Sequence, residues 1–111
     1  MQISIEELDG EITRVILDGR LDIEGAAAVD LKMNVVAGSS RFLLLDMQRV
    51  SFLGSMGLRS IVVPAQNVRR RGGKVVLFAP PAWVEDVLKT SNIDTLIPIH
   101  HDLPSALAAL Q

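Results

Sequence analysis

Two stretches of this chain have no polar side. Phe42-Leu43-Leu44-Leu45, set between Arg41 and Asp46, is apolar at every position, and Lys74 to Ala79 repeats the pattern around Val75-Val76-Leu77-Phe78. A strand with two apolar faces needs cover on both, as inside a parallel sheet flanked by helices. Parallel neighbours must be joined by a long crossover, usually a helix. Helical patterns follow each run. Beyond Ser55, Leu58, Ile61, Val62, Ala65 and Val68 fall on one face, with Arg59, Ser60, Gln66, Asn67 and Arg70 on the other. Beyond Pro80-Pro81, Trp83, Val84, Val87 and Leu88 form a second inward stripe.

The remaining segments fit round that centre. Ile3-Ser4-Ile5 alternates like a short strand, Asp9-Gly10 signals a two-residue hairpin turn, and Ile12 to Leu17 reads as the returning strand, ended by Asp18-Gly19. Asp22 is placed to cap a helix in which Ala26, Val29, Met33 and Val36 recur at helical spacing, with Gly38 closing it. Pro64 should kink or split the helix after Ser55, because it removes one hydrogen bond; Gly72-Gly73 should end it. Leu96 to Ile99 reads as a short last strand. Asp102, followed by Pro104, opens a terminal helix with Leu103, Leu107 and Leu110 apolar. The order β-β-α-β-α-β-α-(β)-α predicts an α/β fold. Its mixed sheet has four to five strands, an N-terminal hairpin and a parallel centre, packed with about four helices. A chain of 111 residues is expected to form one domain, residues 1–111.

Composition removes several functions. Net charge is −2, so no global field recruits nucleic acid. The chain has no cysteine, which excludes disulfides and thiolate metal sites and fits a reducing compartment. Met1 to Glu7 has neither the basic nor the long apolar region of a leader peptide. No apolar stretch approaches the ~20 residues of a membrane helix. The class expected is a compact cytoplasmic domain with no cofactor and no metal.

The chemistry-bearing stretch runs from Asp46 to Leu58 and carries Ser55 where a helix begins. A helix start presents unpaired N–H groups and partial positive charge. A hydroxyl there can cap the helix, or a phosphate added to it can be held. A catalytic reading fares worse. Leu53-Gly54-Ser55-Met56-Gly57 lacks the first glycine of the Gly-x-Ser-x-Gly elbow, and a base would have to come from His100 or His101, oriented by Asp94 or Asp102. His100-His101-Asp102 has no third histidine to complete a metal site. Arg69-Arg70-Arg71 fits a solvated helix end, where cations complement the dipole. Gly72-Gly73-Lys74 lacks phosphate-loop spacing, and Trp83 reads as a packing residue.

These residues resemble the STAS family, whose simplest members are bacterial anti-sigma-factor antagonists. Gly19-Arg20-Leu21-Asp22 matches the family's Gly-x-Leu-Asp. Asp46, Val50, Phe52, Ser55, Gly57 and Leu58 match its Asp-Leu-x-x-Val-x-Phe-x-Asp-Ser-Ser/Thr-Gly-Leu, and Gly72-Gly73-Lys74 matches its later glycine pair. The resemblance covers essentially the whole chain. It implies that Ser55 is phosphorylated by a kinase-like anti-sigma factor, that the unphosphorylated form binds this partner and frees a sigma factor, and that a PP2C-type phosphatase resets the switch. It implies a partner-binding patch of Asp22, Gly54, Ser55, Met56, Gly57 and Arg59, and no enzymatic activity. The alternatives are a STAS subunit of a lipid transporter or signalling assembly, using the same helix without phosphorylation, and a small hydrolase built on Ser55. Many family members pair weakly with themselves, and the residues leave a homodimer open here. Two positions depart from the pattern: Gly54 stands where the family carries an acidic residue, and Met56 where it carries a small hydroxyl residue.

Overall fold

The computed structural model describes residues 1–111. Five strands form one sheet in the order β1-β2-β3-β4-β5: Gln2–Leu8, Ile12–Leu21, Phe42–Leu53, Lys74–Phe78 and Ile99–His100. β1 and β2 are antiparallel; every later neighbour is parallel. Four α-helices complete the fold: α1 (Ile23–Ser39), α2 (Ser55–Arg70), α3 (Ala82–Thr90) and α4 (Leu103–Leu110). The expected mixed α/β architecture is the one observed.

The two apolar runs are covered as their composition requires. Leu43, Leu45, Val75 and Leu77 pack into a core with α1, α2 and α3 residues such as Val29, Met33, Ile61, Ala65 and Val84. Leu44, Val76 and Phe78 point the other way and pack with Ala106 and Leu110 of α4. Three helices therefore lie on one face of the sheet and one on the other. Where α4 ends, the second face turns polar. There the buried Asp46 carboxylate accepts Arg14 Nε and Nη2 at 3.1 and 2.6 Å, and the Gln48 amide at 3.1 Å. Asp46 opens the family motif, yet its side chain serves this ion pair on the face away from α1 to α3.

Several boundaries differ from the sequence reading. The hairpin loop has three residues, Asp9 to Glu11, since Leu8 pairs with Ile12; Gly10 and Glu11 both take positive φ. β2 does not stop at Asp18-Gly19 but runs to Leu21, and β3 runs to Leu53 rather than Asp46. The pairing Ile16↔Asp46 becomes Asp18↔Arg49, and Gly19↔Val50 becomes Arg20↔Phe52, so β3 holds an extra residue at two points. Bulges of this kind turn a strand and re-aim its side chains. α1 continues one residue beyond Gly38. Of the two outcomes expected at Pro64, a kink or a split, the split does not occur: α2 runs from Ser55 to Arg70 with Pro64 inside it. A 3-10 turn, Ile93–Thr95, precedes the last strand, which is Ile99–His100 and not Leu96 to Ile99. Trp83 is not inward but 45% exposed, and Ser60 is not on the outer face but buried.

Candidate partner-binding site

The site forms at the C-terminal ends of the parallel strands, where β2 passes into α1 and β3 into α2. At the first junction Asp22 is the N-cap, accepting the Gly25 amide at 2.8 Å. Its other oxygen accepts Arg20 Nε at 3.3 Å. The carboxyl is held below the usual carboxylate range, chiefly by the Gly25 amide and further by Arg20. Asp22 was expected both as cap and as partner contact. The structure gives it the first task and spends both oxygens within the chain.

At the second junction one residue separates strand from helix. Gly54 is the N-cap of α2; it is extended, and its amide donates to Leu21 O at 3.1 Å. Ser55 is the first helical residue and not the cap. With glycine as cap and no acidic residue in the first turn, nothing from a side chain balances the positive end of α2. The Ser55 hydroxyl is exposed and makes no hydrogen bond within the chain. A capping hydroxyl would accept a backbone N–H, so the bland explanation for this serine does not hold here.

The neighbours of Ser55 divide into support and surface. Gly57 is buried: a Cβ there would lie 2.3 Å from Leu21 O and 2.6 Å from Leu21 Cβ. Only glycine allows α2 to approach the end of β2 so closely. It shapes the patch from beneath, although it was grouped with the contact residues. Gly25 does the same for α1, where a Cβ would fall 1.8 Å from Arg20 O. Gly25 went unnoticed in the sequence; its only signal was its place three residues after the capping Asp22. Met56 and Arg59 are exposed, as a contact role requires, and Arg59 enters no ion pair. Both line a groove of about 360 Å³ between α1 and α2, together with Asp30, Asn34, Ser60, Val63 and Pro64. Ser60 Oγ donates to Asp30 at 2.6 Å and ties the two helices together.

Three further residues reach the rim. The Arg20 guanidinium lies over the Phe52 ring at 4.4 Å, and the Phe52 and Trp83 rings stand 6.1 Å apart, tilted by 44°. Two of the residues considered for catalysis, His101 and Asp102, are engaged elsewhere. His101 Nε2 meets Glu85 at 2.6 Å, Asp102 caps α4 through the Ser105 amide at 2.9 Å, and neither histidine hydrogen-bonds Ser55. Glu85 is held below its ordinary range by His101 first and Lys89 second. No group of three or more His, Asp or Glu side chains is arranged to hold a metal ion.

The STAS domain family model matches residues 2–106 of this chain. The chain belongs to the STAS family. It is similar to a putative anti-sigma factor antagonist, BtrV, of Bordetella bronchiseptica, 24% identical over all of this chain and 96% of that one. An anti-sigma factor antagonist from Mycobacterium paratuberculosis superposes with a TM-score of 0.87 at 25% identity, covering 98% of this chain and 92% of that one. The Bacillus cell fate determinant SpoIIAA, seen in its phosphorylated form, superposes with a TM-score of 0.75 at 17% identity, over 99% of this chain and all of the other. No helix of this STAS domain is long and apolar enough to cross a membrane.

Proposed function

We propose that this STAS domain is an anti-sigma-factor antagonist, a binding module rather than an enzyme, switched by phosphorylation of Ser55. The observation that carries the reading is the state of that residue: an exposed hydroxyl at the first position of α2, beside a glycine cap, with no structural hydrogen bond. The unmodified face binds a kinase-like anti-sigma factor, which releases its sigma factor. That partner phosphorylates Ser55, and a PP2C-type phosphatase restores the hydroxyl. The likeness to BtrV and to SpoIIAA, the latter known in a phosphorylated form, supports this assignment.

The physical effect of the phosphate is local. It adds about −1.5 to −2 charges and three acceptor oxygens at one surface point. The free N–H groups of a helix start can receive it, so the domain need not rearrange. An interface built on a neutral hydroxyl would be broken. Losing a central contact costs on the order of 2–4 kcal/mol, roughly thirtyfold to thousandfold in affinity. The reading is tested by mixing wild type, Ser55→Ala and Ser55→Asp with the kinase-like anti-sigma factor of the same cell. Wild type and Ser55→Ala should bind, Ser55→Asp should not, and only wild type should take up phosphate from ATP. Undiminished binding by Ser55→Asp overturns the switch.

A further inference from the structure

Trp83, Phe52, Arg20 and Asp22 form a continuous ladder across the rim of the Ser55 face. They come from three separate segments: the end of β2, the end of β3 and the first turn of α3. Trp83 is the only tryptophan of the chain, and it is 45% exposed. Phe52 packs between it and the Arg20 guanidinium. Arg20 is exposed and is held in place through Nε by Asp22, so its terminal nitrogens carry no partner within the chain. Both Asp22 oxygens are engaged, and Arg59 is unpaired. Arg20 and Arg59 therefore carry free guanidinium nitrogens on this face, where the first turn of α1 also holds the exposed Glu24.

The ladder also accounts for Gly54, the position where the family carries an acidic residue. A Cβ at Gly54 would lie 3.2 Å from Phe52 Cε2. The missing side chain leaves room for the ring, and the missing carboxylate leaves Arg20 without a competitor. Tryptophan and arginine are residue types that dominate binding energy where a partner buries them fully. Arginine stacked on an aromatic ring keeps its charge and its geometry while being desolvated.

We propose that Arg20, Phe52 and Trp83 anchor the kinase-like partner through a segment that places a carboxylate on Arg20 and an apolar side chain on Trp83. This rests on the reading of the Ser55 face as partner-binding. It gives that face a second determinant, separate from the serine. In this chain the cation and ring pair takes the place of the carboxylate absent at Gly54.

Calorimetric titration of the purified chain with the kinase-like anti-sigma factor isolated from the native cell tests the proposal, with Trp83 emission as a second readout. Emission should shift to the blue at saturation as the ring leaves water. Trp83→Ala should weaken binding roughly tenfold or more, and Trp83→Phe should recover most of it. Arg20→Gln should weaken binding and flatten its salt dependence, and Arg20→Glu should weaken it further. Gly54→Asp, which restores the family's acidic residue, should weaken binding too, by displacing Phe52 and by pairing with Arg20. Melting curves matching wild type show that each variant is folded. If Ser55→Asp loses binding while the Trp83, Arg20 and Gly54 variants stay within about twofold of wild type, the anchor is overturned and the switch stands. If Ser55→Asp binds normally, the switch is overturned, and loss of binding in the ladder variants still supports the anchor. Unchanged Trp83 emission at saturation overturns the anchor outright.

Discussion

The two ends of the sheet are finished differently. At the N-terminal ends of the parallel strands, side chains are spent on closing the structure. Arg71 donates to the carbonyls of Ala37, Gly38 and Ser40, where α1 runs out of internal donors. Arg69 donates to Leu96 O at 2.8 Å, and Lys74 donates to Gln111 O at 3.1 Å. At the C-terminal ends Asp22 and Ser60 also bond within the chain, but the side chains around Ser55 do not. The Ser55 hydroxyl is unbonded, the cap of α2 is a glycine, Arg59 is unpaired, and Met56 and Trp83 are left in water. Polar groups in a folded chain find partners wherever burial makes that necessary. The contrast separates residues that hold the fold from residues held ready for something outside it.

The contrast can be broken by substitution, and the largest effect should come from beneath the open end. Gly57→Val places a branched side chain against Leu21 and should destabilise the domain by about 1–3 kcal/mol, read as a lower midpoint in urea. If stability is unchanged, α2 is not held against β2 as described. Next comes the closed end. Arg71→Ala strips donors from three carbonyls and should cost up to about 2 kcal/mol. Its affinity for the partner should not move. A loss of affinity without a loss of stability would put function at the wrong end.

Asp22 should matter less and only through pH. Its folded pKa is depressed, so the stability it confers is present above the ordinary carboxylate pKa and is lost as pH falls through the lower folded value. Asp102, depressed chiefly by the Ser105 amide, adds to the same acid limb. Asp22→Asn should therefore lower the melting temperature at neutral pH and flatten its fall in acid; an acid limb as steep as wild type counts against the capping role. Smallest of all is Ser55→Ala. With no hydrogen bond to lose, it should leave stability within about 0.5 kcal/mol of wild type. A larger loss would show that the serine supports the fold after all.

Much of this was legible in the sequence. The apolar runs named the central strands, and the capping Asp22 and Asp102 were placed correctly. β3 shows where such reading stops. Its inward residues are Leu43, Leu45, Met47, Val50 and Leu53. The spacing is two, two, three and three, because a bulge adds a residue at each longer step. The continuous apolar run stops at Asp46, and beyond it the inward residues no longer alternate, so the run alone marks only the first part of the strand. Gly57 was legible as a motif glycine but not as a buried one, since its reason is Leu21, distant in sequence. Ser60 was assigned to water because nothing local announces Asp30. The helical stripe puts Trp83 inward with Val84, Val87 and Leu88 as a packing residue; its neighbour Phe52, which holds it at the rim, comes from another element. The rim of the site is assembled by tertiary contact, and a pattern read along one chain segment does not contain it.

The single residue between β3 and α2 has a consequence for timing. With only Gly54 at the joint, and its amide tied to Leu21, the backbone has no spare length to store a second shape. A signal written at Ser55 would therefore need no loop to refold before it could be read. Its tempo would be set by how often a kinase and a phosphatase visit, and the domain itself would add no delay of its own.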